Sequence, residues 1–461
     1  MKNYEQFKRL IMFVIGIVII SLLVLTFAFV WYTQYNDSII MPFVNRGNWL
    51  VIAIYLVLLV LFQRIYNGYK VGYLKRSDVI YSQTLSVLIT NVITYFQVSL
   101  IGRGLVNPVP FFLMTLVDIL LIILWTYGAN AIYSKLYPPH KMIIVYGSDL
   151  ADSLSFKMSR RADKYEIRNA ISIEEGLEAI QKEILQYESV IICDVKAPER
   201  NRLLKFCFEN SIRTYITPKL SDIIIRSADE IHLFDTPLLL CRNMGLSFEQ
   251  RVIKRFMDIV LSVVFLLVAS PFMLLTAIAI KAYDRGPVFF KQKRCTLNKK
   301  VFEIYKFRSM IVDAEKDGIA MPAVDHDPRI TPIGRFIRKT RLDELPQLFN
   351  VLKGDMSIVG PRPERVEHVE AYSREIPEFS YRLKVKGGLT GYAQIMGKYN
   401  TSAYDKLKLD LMYIENYSLL LDLKLLFMTV KVMFMKDSTE GFHKQNITSN
   451  VDQGNAIEKN N

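Results

Sequence analysis

Two adjacent carboxylates, Asp343 and Glu344, stand just before Pro346 and the apolar run LFNVL, in the stretch RFIRKTRLDELPQLFNVLKGDMSIVGPRPER. Proline is best tolerated in the first turn of a helix, where its missing N–H costs nothing, and glycine suits the position just past a helix end. Pro346 and Gly354 therefore bracket a short predicted helix whose N-terminus carries both acids. There the helix dipole and unpaired N–H groups favour negative charge, which keeps a carboxylate ionised and helps gather a phosphate or its metal. The plainer alternative is that Asp343 only caps the helix, since acids are common in first turns.

Upstream, in DPRITPIGRFIRKTR, Thr331 and Pro332 read as an N-cap and a first helical residue, which places Arg335, Arg338 and Lys339 on one face. A cationic helix thus leads into the acids. Downstream, MSIV reads as a short strand and Gly360-Pro361-Arg362-Pro363 as a stiff extended turn that presents Arg362 on a constrained backbone. An arginine so held suits a phosphate oxygen.

The elements that must carry these groups are set by composition. With 461 residues the chain has room for two or three domains. Hydrophobic residues make up 51%, yet the formal net charge is +13, with a mean hydropathy of +0.19. Strongly apolar segments must therefore alternate with basic ones, the signature of a membrane protein with anionic partners. Nucleic acid is excluded as the partner, because the charge flanks apolar segments and forms no basic stripe with a reading motif. Cys193, Cys207, Cys241 and Cys295 are scattered without a CxxC pair, and the five histidines form no cluster, so reduced structural thiols and no zinc site are expected.

Residues 10–36 hold no charge over 27 positions, and 47–63, 79–102 and about 108–132 are similarly apolar, each near the roughly 20 residues a spanning helix needs. Lys2, Lys8 and Arg9 precede the first span, Lys70, Lys75 and Arg76 fill the second loop, and Lys135 and Lys141 follow the fourth. The first and third loops offer only Arg46 and Arg103, which orients both ends of the four-helix unit to the cytoplasm. The first span is too long for a cleaved signal and lacks a small-residue cleavage site. Asp118 lies inside the fourth span, where an acid is either functional or turned toward helix neighbours.

KMIIVYGS, YEIRNAI, SVIICDV and RTYITP, between residues 141 and 235, read as short strands separated by helices, hence a small α/β domain with a parallel sheet. Only Gly147 follows the first strand, where a dinucleotide fingerprint needs GxGxxG. The 25 mostly apolar residues 256–280 are broken by Ser270-Pro271 and flanked by Lys254 and Arg255 on one side and by Lys281, Arg285, Lys291, Lys293 and Arg294 on the other. Both ends prefer the cytoplasmic side. Pro271 removes a helix hydrogen bond and Ser270 can bond the freed carbonyl, so a kinked segment that enters and returns through one leaflet fits best. From 251 to 310 there are twelve Lys/Arg against three Asp/Glu, a surplus suited to an anionic lipid surface and a phosphate-bearing substrate, or in part to a solvated face. Residues 404–435 form amphipathic helices that lie on a membrane or bury an ordinary core stripe, and 436–461 are polar, Asn-rich and expected to be disordered.

Residues 251 to about 435 resemble the bacterial sugar transferases, the polyprenyl-phosphate phosphoglycosyl transferases. The resemblance runs through KRFMDIVLSVVFLLVASP, GPVFFKQKR, FEIYKFRSM, the LDELPQLFNVLKGDMSIVGPRPE block, GLTGYAQIMG and DLMYIENYSLLLDLKLLFMTV. The chain departs from the family at Cys295-Thr296-Leu297-Asn298, where glycines are usual, and at Lys386, where proline usually precedes the glycine. The resemblance implies four transmembrane helices (1–135), a Rossmann-like α/β accessory domain (136–245) and a mixed α/β catalytic domain (251–435) with a re-entrant membrane helix (256–280) containing Ser270 and Pro271. The implied reaction moves a sugar 1-phosphate from a UDP-sugar to undecaprenyl phosphate, releases UMP and begins a surface polysaccharide such as a capsule or exopolysaccharide. Glucose or galactose is the sugar that the four-span form suggests.

By the same resemblance Asp343 is the nucleophile, forming a covalent phosphosugar-aspartyl enzyme, and Glu344 binds Mg²⁺. Arg338 and the Pro361-Arg362-Pro363 turn hold phosphates and site geometry, and Lys306, Arg308, Lys254 and Arg255 are further basic positions of the motif. The implied location is the bacterial cytoplasmic membrane, with catalysis on its inner face, and a homo-oligomer is left open. Two other classes stand beside this reading. A membrane-bound nucleotide-sugar dehydratase shares the layout but needs GxGxxG with Tyr-x-x-x-Lys, and the Tyr137/Lys141 and Tyr404/Lys408 spacings occur without the glycines. A non-catalytic scaffold or regulator is the second, against which the intact Asp343-Glu344 pair argues.

Overall fold

Four charge-poor stretches fold as the helices α1 (Lys8–Val30), α2 (Arg46–Ile65), α3 (Arg76–Ile101) and α4 (Val109–Leu136), each long and apolar enough to cross a membrane. The structure, a computed structural model, describes residues 4–38, 43, 46–148, 150–241, 245–312, 314, 327–397 and 401–433. The expected disordered tail, 436–461, lies outside the described residues. The helices pack through an apolar seam in which Phe27 stacks on Tyr55 with ring centroids 4.1 Å apart. Asp118 is fully buried there. Thr26 of α1 donates to it at 2.7 Å and Asn91 of α3 at 3.4 Å, while Tyr55 of α2 donates to Asn91 at 3.0 Å. Of the two readings of Asp118, the one turned toward helix neighbours describes its surroundings.

The α/β sheet follows in chain order: β1 (His140–Tyr146), α5 (Leu150–Ser159), β2 (Tyr165–Ser172), α6 (Leu177–Ile184), β3 (Ser189–Cys193), α7 (Ala197–Glu209) and β4 (Arg213–Ile216). All pairings are parallel, in the order β2-β1-β3-β4. The unbroken apolar runs MIIV and VIIC are what strands covered on both faces require. Gly147 has a packing reason: a Cβ there would sit 2.7 Å from the Asp194 carbonyl oxygen.

A second compact unit begins at Leu220, with residues 1–219 forming the first. The helix α8 (Leu220–Arg226) lies in this second unit, with Leu220 and Ile223 buried in its apolar core. An exposed antiparallel hairpin, β5 (Asp229–Leu233) and β6 (Thr236–Leu240), comes next. Then α9 (Phe248–Asp284) runs as one 37-residue helix through Pro271, about 55 Å at 1.5 Å per residue. The Ser270 hydroxyl donates to the Leu267 carbonyl at 2.9 Å, the group that Pro271 leaves without its N–H partner. Its first turns are anchored in protein: Asp258 accepts from the Ser357 hydroxyl and the Ile358 N–H, both at 2.9 Å.

The remaining elements follow that helix in the chain: the antiparallel pair β7 (Phe289–Cys295) and β8 (Val301–Phe307), then α10 (Pro332–Lys339) and α11 (Gln347–Lys353). The strand β9 (Ser357–Val359) pairs in parallel with β10 (Gly388–Thr390), and α12 (Val366–Glu375) lies between them in the chain. The helices α13 (Tyr392–Met396), α14 (Ala403–Glu415) and α15 (Leu419–Met433) complete the unit. Leu407, Leu411, Tyr413, Ile414 and Leu425 are buried in its core, so the core-stripe alternative describes these faces of α14 and α15.

Candidate active site

Thr331 caps α10 by accepting from the Gly334 N–H at 2.9 Å, as its position before Pro332 predicts. The chain leaves α10 through Arg341, whose left-handed φ of 58° turns it into a single 3-10 turn, Leu342–Glu344. Leu342 and Leu345 pack inward against a cluster of Met273, Ile280, Phe307 and Ile337. This plants the turn and leaves Asp343 and Glu344 to the cations. Pro346 is the N-cap of α11 and not its first residue, and Gly354 ends the helix at φ 95°, a conformation in which any Cβ would be strained.

The two acids are treated differently. Lys306 of β8 lies 3.0 Å from Glu344 Oε1, and Arg362 reaches the same oxygen at 3.2 Å. Asp343 is buried, and its Oδ1 has no hydrogen-bond partner. Burial raises the Asp343 pKa and the neighbouring Glu344 charge raises it further, against the pull of Lys306, Arg338 and Arg341. Burial would raise Glu344 too, yet Lys306 and Arg362 outweigh it and hold that carboxyl well below its usual range. Glu344 is thus a fixed charge, and Asp343 an acid with a free, poorly solvated oxygen. A lone pair unspent on hydrogen bonds is what attack on phosphorus requires.

Of the sequence-predicted residues, Asp343, Glu344, Lys306, Arg362 and Arg338 come together, the last donating to the Ser309 hydroxyl at 2.9 Å. Arg308 does not join them: it pairs with Asp284 at the end of α9. Lys254 is buried in an ion pair with Asp422 at 2.5 Å, and Arg255 donates to the Val351 and Leu352 carbonyls at 2.6 and 2.7 Å, capping the far end of α11. In this structure both side chains hold the fold, Lys254 through Asp422 and Arg255 through the end of α11, while the cations that meet Glu344 are Lys306 and Arg362. Pro361 and Pro363 frame Arg362, and their carbonyls accept from the Gly388 N–H at 2.8 Å and from Arg294 at 3.3 Å. Arg341, Ser309 and Arg294 were not foreseen. Arg341, directly before the acids, was the one with a local signal.

Beside α9 lies an apolar groove of about 530 Å³, lined by Leu267, Ser270 and Met273 of that helix and by Phe289, Phe307 and Phe349. It shares Met273 and Phe307 with the cluster beneath Leu342 and Leu345. No group of three or more His, Cys, Asp or Glu converges as a metal site among the described residues.

The sequence profile of the bacterial sugar transferases matches residues 249–436. Over 205 residues, 43% of this chain and 42% of the relative, the chain is 44% identical to UDP-glucose:undecaprenyl-phosphate glucose-1-phosphate transferase of Escherichia coli. It is 40% identical over 255 residues to UDP-N-acetylgalactosamine-undecaprenyl-phosphate N-acetylgalactosaminephosphotransferase of Aeromonas hydrophila, covering 54% of this chain and 59% of that one. The match spans about half the length of these two relatives. A shorter relative, the uncharacterized sugar transferase EpsL of Bacillus subtilis, is 40% identical over 189 residues and covered over 91% of its length. With one relative matched over 91% of its length and the family profile spanning the acid pair, this chain belongs to the bacterial sugar transferase family.

Proposed function

We propose that the protein transfers a sugar 1-phosphate from a UDP-sugar to undecaprenyl phosphate, with Asp343 as a covalent nucleophile. The observation that carries this is the division between the two acids: Glu344 is clamped by Lys306 and Arg362, while Asp343 Oδ1 is buried and unpartnered. Asp343 attacks the sugar-bearing phosphorus, and the bond from that phosphorus to the bridging oxygen breaks. UMP leaves with the bridging oxygen. An oxygen of undecaprenyl phosphate then attacks the same phosphorus and expels Asp343 as a carboxylate, giving a diphosphate-linked lipid. Splitting the reaction lets the nucleotide leave before the lipid arrives. Lys306, Arg338, Arg341 and Arg362 supply the positive field that two approaching phosphates demand.

Both cation contacts to Glu344 fall on Oε1, so Oε2 is the oxygen that fits Mg²⁺, a cation commonly held by one or two carboxylates together with substrate phosphates. When bound there, Mg²⁺ would neutralise phosphate charge. The groove beside α9 supports an isoprenoid acceptor, since its aromatic walls adjoin the packing under the acids. The sugar is a hexose, with glucose and galactose first to be assayed, and the product begins a capsule or exopolysaccharide. The four N-terminal helices form a membrane bundle, the α/β sheet is a Rossmann-like accessory domain, and α9 is re-entrant.

Screening UDP-sugars for UMP release from purified protein tests the reaction. No release from any of them, with undecaprenyl phosphate present, would overturn it. Glu344→Gln is expected to lower the rate at least about tenfold and to raise the Mg²⁺ concentration needed for half-maximal activity, with EDTA abolishing wild-type turnover. An EDTA-insensitive wild type would remove the metal. For placement, a cysteine introduced between residues 365 and 380 should resist a membrane-impermeant thiol reagent in intact cells and react after lysis. Labelling from outside would rule out a cytoplasmic site.

A further inference from the structure

The turn that presents Arg362 is mounted at three carbonyls. Pro361 O accepts from Gly388 N–H at 2.8 Å, Arg362 O from Arg382 Nη2 at 2.9 Å, and Pro363 O from Arg294 Nη1 at 3.3 Å. Two of its three residues are prolines and have no N–H of their own to donate, so these acceptors are its chief means of attachment. The middle mount is charged. Arg382, in the 3-10 segment Pro377–Lys384, is 2% exposed and holds Asp410 Oδ2 of α14 through Nε at 2.9 Å and Nη2 at 2.8 Å. Its Nη1 lies 3.5 Å from Glu364, and its guanidinium sits 5.0 Å from the Phe379 ring centre.

This arrangement is expensive for mere cohesion. Asp410 is 1% exposed and its Oδ1 is buried without a partner. Burial pushes its carboxyl up to about 6 despite Arg382, with Glu364 also raising it and Lys406 lowering it. A buried ion pair of this kind is weak evidence for stability, because an apolar replacement of the same volume is often as stable. What it does supply is direction: a planar guanidinium fixed on one side by a carboxylate offers its remaining N–H groups at set angles.

We propose that Arg382, oriented by Asp410 and Glu364, is a positioning residue that sets Arg362 against Glu344 from behind the turn. The inference rests on the reading of Arg362 as part of the phosphate-handling site of a transferase. Neither Arg382 nor Asp410 touches the acids; they act through the Arg362 carbonyl. A displacement of the turn by about 1 Å is enough to cost on the order of a hundredfold in rate when geometry is the source of catalysis.

A mutant cycle tests this. Asp410→Asn keeps volume and shape but removes the charge that orients Arg382, and UMP release should fall roughly tenfold or more. In an Arg362→Ala background the same substitution should change the rate less than about twofold, because the residue it acts through is gone. An equal loss in both backgrounds would make the pair a general fold element and overturn the proposal. Should Asp410→Asn prove unfolded by its thermal midpoint, Arg382→Lys, which keeps the charge but not the fork, carries the same cycle. Hydrogen exchange of the 360–365 backbone needs no substrate and separates the two readings. If the wild type releases no UMP the transferase assignment fails, while the mount still stands on faster exchange in Asp410→Asn and falls if exchange is unchanged.

Discussion

Asp343→Asn is expected to reduce UMP release by on the order of a thousandfold or more, because it removes the nucleophile while preserving shape and leaving Glu344 clamped. Retention of more than about a tenth of the wild-type rate would rule out the covalent step. Stability should move the opposite way. The folded pKa of Asp343 is raised, so folding favours its protonated form, and its contribution to stability is present below the unfolded pKa and lost as pH rises through the folded value. At neutral pH the ionised Asp343 therefore opposes folding, and Asp343→Asn should melt above the wild type. Glu344 behaves inversely: its folded pKa is depressed, so its contribution is present above the unfolded value and lost as pH falls through the folded one. A thermal midpoint of Asp343→Asn below that of wild type at pH 7 would contradict the strained-acid description.

Asp422→Ala should give the largest loss of stability. Asp422 is fully buried and takes the Lys254 ammonium at 2.5 Å on one oxygen and the Tyr413 hydroxyl at 2.8 Å on the other. Removing it strands a buried ammonium and leaves the Tyr413 hydroxyl only its longer bond to the Val359 carbonyl at 3.2 Å, with an expected cost of about 3–5 kcal/mol. The paired replacement Lys254→Met with Asp422→Leu should recover most of that, since the cost lies in the uncompensated charge and not in the missing bridge. Chemical unfolding in detergent measures both. A single Asp422→Ala variant as stable as wild type would show that Lys254 finds water or another acceptor.

Where the cause was local, the structure could be read from neighbouring residues. Thr331-Pro332 specified a capped helix, Gly354 a left-handed stop, Ser270-Pro271 a rescued carbonyl, and MIIV and VIIC two buried parallel strands. Where the cause was tertiary, residue type did not disclose the partner. Lys254 and Arg255 look like phosphate ligands in a basic segment, but their partners lie 168 and 96 residues away, beyond any sequence window. The clamp on Glu344 is similar, with Lys306 contributed from 38 residues upstream and Arg362 from 18 downstream. The Arg382–Asp410 mount left no local trace, because an arginine in a short helical turn and an aspartate on an amphipathic helix each have ordinary surface explanations.

The acid at the centre of the first four helices bears on how the chain is made. A helix with a lone Asp in mid-hydrocarbon inserts at a cost of roughly 2.5–3.5 kcal/mol. Its compensating donors come from helices synthesised earlier, Thr26 of α1 and Asn91 of α3, the latter itself held by Tyr55 of α2. Asp118 thus emerges from the ribosome after every group that will receive it, and α4 has a prepared berth where an earlier position in the chain would have had none. Within this group of four helices α4 is the last to be made, and the sheet that starts at His140 is translated only after it.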